Sequence, residues 1–137
     1  MTGLDDFVRD TVPRHIASDV ALYNGDPEPR IAMWSVEAPV TLFSAGGECL
    51  IGSSDIFAFL RSLATRYSSA TGVSFDLQAA EVSDGLAYTV GFERFTASRE
   101  ASAMSSIVIR ATQIYRREGT EWKVVHRHGD PGTPRTS

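Results

Sequence analysis

The strongest constraint on this fold is the second half of the chain, which reads as four strands joined by short turns. Residues 73–82, 86–95, 104–115 and 122–128 are rich in β-branched and aromatic side chains. Asp84-Gly85 and Glu118-Gly119-Thr120 are typical of hairpin turns. Because strands joined by tight turns pair antiparallel, the sequence predicts an antiparallel sheet.

The first half has helical periodicity instead. Apolar residues recur on one side of a helix over residues 4–23: Leu4, Phe7, Val8, Val12 and Leu22. Pro13 either kinks this helix or begins a second one. Shorter helices follow at 29–34 and 55–67, with extended segments at 40–43 and 50–51 between them. Helices followed by hairpin-linked strands predict an α+β domain with its helices on one face of the sheet.

The chain of 137 residues has the size of one domain, predicted over 1–130 with a frayed polar tail at 131–137. Its net charge of −4 argues against nucleic-acid binding, which requires a positive surface. No stretch approaches the ~20 apolar residues of a membrane span, and the first residues do not resemble a signal peptide. Cys49 is the only cysteine, which fits a reducing compartment, so we expect a cytoplasmic protein.

Two histidines of the last strand, His126 and His128, are the first candidate functional residues. Side chains alternate along a strand, which puts both on the face that begins with Trp122 and Val124. This face begins apolar and should point at the core. An even number of residues in the preceding turn pairs it with the face of Gln113, so we expect Gln113 beside the histidines.

The strand over 86–95 supplies the predicted wall of a pocket. Its bulky residues alternate with smaller ones: Leu86, Tyr88, Val90 and Phe92. Together with the two histidines and Gln113 they describe an apolar cavity with a few polar groups, the usual form of a small-molecule site. The alternative is a core in which the same polar residues only satisfy one another's hydrogen bonds.

His126-x-His128 also has the spacing of metal ligands on a strand. A zinc or iron site needs a third protein ligand, and nothing in the sequence fixes the distance of the candidates Asp130 and His15. We therefore expect no metal. The sequence contains no phosphate loop, dinucleotide-binding motif or nucleophile turn, so no cofactor is expected either.

Other charged residues leave alternatives open. His15 and Asp19 stand four apart on the first helix, either as an acid–base pair facing the cavity or as a solvated helical pair, which is commoner. Asp76, Glu81 and Glu93 are mid-strand carboxylates, any of which could act as a general base. Charges on the outer face of a sheet are commoner, so we expect them there.

The stretch 112–130, TQIYRREGTEWKVVHRHGD, resembles the last hairpin of the nuclear transport factor 2-like superfamily. Within it, the best likeness is to SnoaL-like proteins and to the calmodulin-dependent kinase association domain. The matching positions are Thr112, Arg116, Arg117, Gly119, Trp122, Lys123, Val125, His126 and His128. Segments 23–26, 34–52 and 84–88 resemble further parts of the family in the same order, so the likeness covers about residues 4–130.

The resemblance implies a cone, also called a cystatin-like roll. In this fold a strongly curved antiparallel sheet wraps around a long N-terminal helix, with two shorter helices and a cavity at the open end. Family members include ketosteroid isomerases, cyclases, dehydratases, epoxide hydrolases and proteins that only bind or assemble, so the fold does not determine function. The kinase association domain has arginines in its pocket where this chain has Val90, Gln113 and Gly129, so we do not expect an acidic ligand held by arginines at those positions.

Two hypotheses on function follow. The first is a cofactor-independent isomerase, cyclase or dehydratase acting on a mostly apolar carbonyl or enol compound. In it His126 or His128 moves a proton, and Tyr88 or Gln113 binds the oxygen that gains charge. The remaining predicted ligand-binding residues are Trp34, Val90, Phe92 and His15. The second hypothesis is a non-catalytic ligand-binding or assembly domain of the same fold.

The outer face of the sheet is predicted to pair two copies of the chain. Opposite the histidines, apolar and polar residues are mixed: Val108, Ile114 and Val125 with Arg110, Thr112, Arg116 and Arg127. Such a mixture suits a protein interface, and two-fold dimers are the commonest soluble oligomers. We therefore expect a homodimer formed through this face.

Overall fold

A computed structural model describes residues 3–132. In chain order the elements are α1 (Gly3–Leu22), α2 (Glu28–Met33), β1 (Thr41–Phe43), β2 (Cys49–Ile51), α3 (Ser53–Ala64), β3 (Tyr67–Val82), β4 (Leu86–Arg99), β5 (Met104–Glu118) and β6 (Glu121–Pro131). The predicted α+β class is confirmed. Of the predicted frayed tail, residues 133–137 lie outside the described residues, whereas Pro131 ends β6.

The strands form one sheet in the order β2-β1-β6-β5-β4-β3. All neighbours pair antiparallel except β1 and β6, which are parallel. The predicted antiparallel pairing of β5 with β6 is confirmed. The β3–β4 ladder shifts register three times, and such bulges bend a sheet. The result is the predicted cone, a curved and unclosed sheet around α1.

Helix α1 runs unbroken through Pro13, whose side chain is exposed. This settles the alternative left by the sequence in favour of one long helix. Its buried stripe is only partly apolar, because Thr11, His15, Ser18 and Asp19 are buried between Phe7 and Leu22. Within the described part of the chain, no helix is both long and apolar enough to cross a membrane.

The core is divided into two apolar clusters. One contains Phe7, Trp34, Tyr115 and Val124, and the other contains Leu22, Tyr23, Phe95 and Ile109. On α1, β4 and β5 alike, the buried residues between the two clusters are small or polar. A polar layer therefore crosses the middle of the cone.

Candidate functional site

The polar layer contains six residues from five elements, which we call the central polar cluster. They are His15 and Asp19 of α1, Arg30 of α2, Glu93 of β4, Gln113 of β5 and Arg127 of β6. All are buried. Charged residues are almost never buried unless they are paired, so each of these needs an identified partner.

Glu93 is the hub of the cluster. Its two oxygens accept bonds from Arg127 Nη1 and Nη2, each at 2.7 Å, in the bidentate geometry that suits a guanidinium and a carboxylate. His15 Nε2 lies 2.5 Å from Glu93 Oε2. Arg127 Nη1 also donates to Gln113 Oε1 at 2.9 Å, and Gln113 in turn donates to the Tyr115 hydroxyl at 2.7 Å. The inner face of the sheet is thus linked across three strands.

Arg30 joins the same cluster from the helical side. It forms an ion pair with Asp19, and its Nε donates to Ser18 Oγ at 3.0 Å. Its Nη2 lies 3.9 Å from Glu93 Oε2, and His15 Nε2 lies 3.6 Å from Asp19 Oδ2. Two arginines therefore face two carboxylates, and the cluster is electrically neutral when His15 is neutral.

The environment keeps His15 neutral. Burial lowers the pKa of His15, and the charges of Arg30 and Arg127 lower it further, while the contact with Glu93 only partly opposes them. Burial would raise the pKa of Glu93, but Arg127 and the hydrogen bond with His15 outweigh it and hold the pKa well below the usual range. Burial lowers the pKa of Arg30 to about 10, so this side chain stays charged at neutral pH.

The position of His15 depends on a glycine. The Phe75 ring stacks on the imidazole with centroids 4.2 Å apart. A Cβ atom at Gly91 would lie 2.8 Å from that ring and 2.6 Å from the Asp76 carbonyl oxygen. Only a residue without a side chain lets Phe75 lie across β4 here.

A cavity of about 450 Å³ opens beside the cluster. Leu22, Leu60, Leu63 and Ile109 are among its apolar walls, and the side chains of Arg30 and Arg127 line it from their buried positions. The β1–β2 loop and the partly or fully exposed residues Arg66 and Arg99 border it. The two buried arginines are thus the charged groups that a molecule would meet deep in the cavity.

His15, Asp19 and Glu93 could be read as a metal site, since one potential ligand atom of each lies within 4.8 Å of the others. Both carboxylates, however, already pair with arginines. A cation would have to displace two positive side chains that are themselves buried. The trio is therefore better described as the anionic half of the central polar cluster.

The prediction that Tyr88, His126 and His128 share one cavity with Gln113 is wrong. His128 is exposed, Tyr88 is 38 % exposed, and His126 is half-buried on the outer face, where the Phe43 ring packs edge-on against both imidazoles. The cause is a β-bulge. Ile114 pairs with His126 but Tyr115 pairs with Val124, so Val125 is an extra residue that reverses the alternation after it.

Strand β4 also presents the opposite face from the one predicted. Val90 and Phe92 lie on the outer face, where they border a second hollow of about 300 Å³, and Leu86 is exposed there too. The inner face carries Ala87, Thr89, Gly91, Glu93, Phe95 and Ala97. At Gly91 a small residue faces the core because the Phe75 ring and the Asp76 carbonyl oxygen of β3 lie directly against it. Bulk alone was therefore a misleading guide to the buried face.

Other predicted residues have mixed outcomes. Gln113 faces inward as alternation predicts, but it contacts Arg127 rather than a histidine of β6. His15 and Asp19 are buried, so the solvated pair that we favoured is wrong, as is the outer position expected for Glu93. Trp34 is buried in the apolar cluster at the other end of the cone from Leu22 and does not line the cavity.

Sequence reasoning missed the two arginines that line the cavity. Arg127 was assigned to the outer face, and Arg30 was not singled out. The three positions compared with the kinase association domain are Val90, Gln113 and Gly129, and the arginines of this cavity come from other positions, Arg30 and Arg127. The available signal for Arg127 was Val124-Val125, two consecutive apolar residues that interrupt the alternation.

Comparisons with known proteins identify the fold and the family. An assumed dehydratase of the NTF2-like family from Streptomyces avermitilis is similar in structure, with a TM-score of 0.76, 18% identity and coverage of 95% of this chain and 99% of that one. A ketosteroid isomerase-like protein from Erwinia carotovora atroseptica has a TM-score of 0.73, 14% identity and coverage of 89% and 93%. A protein with a cystatin-like fold from Caulobacter vibrioides has a TM-score of 0.70, 12% identity and coverage of 97% and 92%.

These identities are low, so the likenesses establish the fold alone. Among curated proteins, no sequence matches the chain. The family model of the SnoaL-like domain matches residues 21–131, which include α2, α3 and all six strands of the described chain. The chain therefore belongs to the SnoaL-like domain family.

Proposed function

We propose that this protein binds a small, largely apolar molecule in the cavity beside the central polar cluster. The observation that carries the proposal is the cavity itself, which has a volume of about 450 Å³ and apolar walls. The buried Arg30 and Arg127 also line it. A concave apolar site with a few fixed polar groups is the usual form of a ligand pocket. The two guanidinium groups would orient a polar end of the ligand, and the walls would hold its apolar body.

The central polar cluster supports the proposal because it fixes the two arginines in place. Arg127 is held by Glu93 and Gln113, and Arg30 by Asp19 and Ser18. Side chains that are already bonded lose little conformational entropy when a ligand arrives. A core that needed only stability would be served as well by apolar residues.

The test uses a neutral probe and two neighbouring positions of α3. Leu63 lines the cavity, whereas the adjacent Ser62 is exposed and does not. We would measure binding of naphthalene-1-sulfonamide, benzenesulfonamide and octanesulfonamide by calorimetry. We expect Leu63→Trp to weaken binding at least tenfold, because the indole fills the cavity, and Ser62→Trp to leave it unchanged. Equal binding to both variants, or failure of these compounds and of their charged sulfonate counterparts to bind the wild-type chain, would contradict the proposal.

Catalysis is the second candidate, and the contacts of His15 favour it; the imidazole does not line the cavity but is linked through Glu93 to Arg127, which does. An imidazole held by two carboxylates is an arrangement used for general acid–base chemistry. The reaction would be a cofactor-independent isomerisation, cyclisation or dehydration, and two structurally similar proteins are described in such terms. Incubation of the purified protein with a bound compound separates the candidates, because catalysis converts the compound and binding alone returns it unchanged.

A cytoplasmic location remains a prediction from the single cysteine.

A further inference from the structure

The balance of charge beside the cavity has a consequence for the ligand. Arg30 and Arg127 compensate Asp19 and Glu93, and His15 is the remaining titratable member of the cluster. We propose that the cavity binds an organic anion, an apolar body with one anionic oxygen group, and that His15 takes up a proton from solvent when the anion binds. This inference rests on the proposed function and names the class of ligand.

Both arginines keep donors for such an anion. Arg127 uses Nη1 for Glu93 and Gln113 and Nη2 for Glu93, whereas its Nε has no partner among residues 3–132. Arg30 uses Nε and Nη2 for Ser18 and Asp19, and its Nη1 likewise has no partner in that part of the chain. Since both side chains line the cavity, these N–H groups can meet an anionic oxygen there.

An anion alone would upset the charge balance. It would give the cluster and its ligand a net charge of −1 in a buried site, where an uncompensated charge is expensive. Protonation of His15 restores neutrality. The anion would also weaken the effect of Arg30 and Arg127 on the imidazole, and these are the positive charges that lower the pKa of His15 after burial itself.

The surroundings of His15 define where the proton goes. Asp19 on its own helix and Glu93 on β4 are the negative groups that face it, and Arg30 on α2 and Arg127 on β6 are the positive ones. From β3 it meets the uncharged Phe75 ring. Its Nε2 is engaged with Glu93, and its Nδ1 has no partner among the described residues, so the proton adds to Nδ1.

Because anion binding is coupled to proton uptake by His15, the direction in which affinity changes with pH is fixed. Burial lowers the pKa of His15 from its usual value in the ligand-free protein, and a bound anion would raise it. Below the ligand-free pKa the proton is already present and affinity does not change with pH. Between the ligand-free and bound values, affinity falls about tenfold for each unit of rising pH, and above the bound value it is constant again.

Sulfonates test whether anion binding protonates His15, because they stay ionised and cannot take the proton themselves. We would compare naphthalene-1-sulfonate, benzenesulfonate and octanesulfonate with the corresponding neutral sulfonamides. Calorimetry in buffers of different ionisation enthalpy counts the protons taken up, and NMR of the His15 ring nitrogens reports its protonation directly. We expect a sulfonate to bind more tightly than its sulfonamide, with uptake approaching one proton in the sensitive pH window and none for the sulfonamide.

His15→Gln is the matched variant, since a glutamine amide can still donate to Glu93. We expect proton uptake to vanish and sulfonate binding to weaken at least tenfold, while sulfonamide binding is retained. Should the variant not fold, the wild-type proton count and the NMR titration decide the question. Equal binding of sulfonates and sulfonamides, or sulfonate binding without protonation of His15, overturns the inference but leaves the proposed function standing. If no probe of either kind binds, both fail together.

Discussion

Replacing Glu93 with Gln tests the energetic role of the central polar cluster. The substitution keeps the shape of the side chain but removes the charge that compensates Arg127. The two Glu93 oxygens lie 2.5 Å from His15 Nε2 and 2.7 Å from each of two nitrogens of Arg127. A glutamine offers one oxygen and one NH₂ group, so at least one of these contacts becomes a donor facing a donor.

The magnitude follows from burial. Glu93 is 0 % exposed and Arg127 7 %, so the variant leaves an uncompensated buried positive charge. Removing one partner of a buried ion pair costs about 3–5 kcal/mol. For a domain of this size we expect the melting temperature to fall by roughly 9–15 °C, at about 3 °C per kcal/mol. Urea unfolding followed by circular dichroism measures the change in the free energy of unfolding.

Asp130→Asn is the control, because the chain repeats the same geometry on its surface. Asp130 accepts from Arg110 Nε and Nη2, each at 2.7 Å, but the two side chains are 39% and 62% exposed. Exposed pairs contribute little, so we expect this variant to unfold within experimental error of the wild type. If Glu93→Gln changed stability as little as Asp130→Asn, the central polar cluster would not be the desolvated, charge-balanced unit described above.

Two further predictions concern the sheet. Gly91→Ala should destabilise the chain by about 1–3 kcal/mol, because the new methyl group forces the Phe75 ring away. Gly85→Ala is the control, because apart from its chain neighbours no atom of residues 3–132 lies within 4 Å of its Cβ position. Equal unfolding of the two variants would contradict the packing argument. The homodimer predicted from the sequence is also expected to use the outer face, which bears the exposed Tyr88. Light scattering should give about twice 14.9 kDa for the wild type and the monomer mass for Tyr88→Glu, whereas a wild-type monomer at all concentrations would end the idea.

The fold could be predicted because its signals are repeated along the chain. Hairpin turns at Asp84-Gly85 and Gly119 and the periodicity of α1 all indicated the same architecture. The family resemblance agreed with them over most of the chain. Errors in the ends of α2 and α3 amounted to a few residues and did not alter the arrangement.

The site could not be predicted in the same way because it depends on which face of each strand is buried. A single extra residue at Val125 reversed the assignment of His126, Arg127 and His128 together. On β4 the rule that large apolar residues face inward failed, since Gly91 and its neighbours must leave room for packed rings. The buried pairing of His15 with Glu93 joins residues 78 positions apart, and no local pattern reports such a contact.

The position of the bulge in β6 determines which side chains of this strand face the cavity. Trp122 and Arg127 are separated by an odd interval, which in an unbroken strand would put them on opposite faces. Sliding the bulge beyond Arg127 would exchange a cavity lined by arginine for one lined by histidines, without altering the composition of the strand. Insertions and deletions of one residue in this strand are therefore a route by which related chains can acquire different ligands. When the role of a residue is inferred from a related protein, its position in the strand register is a better guide than its place in a sequence alignment.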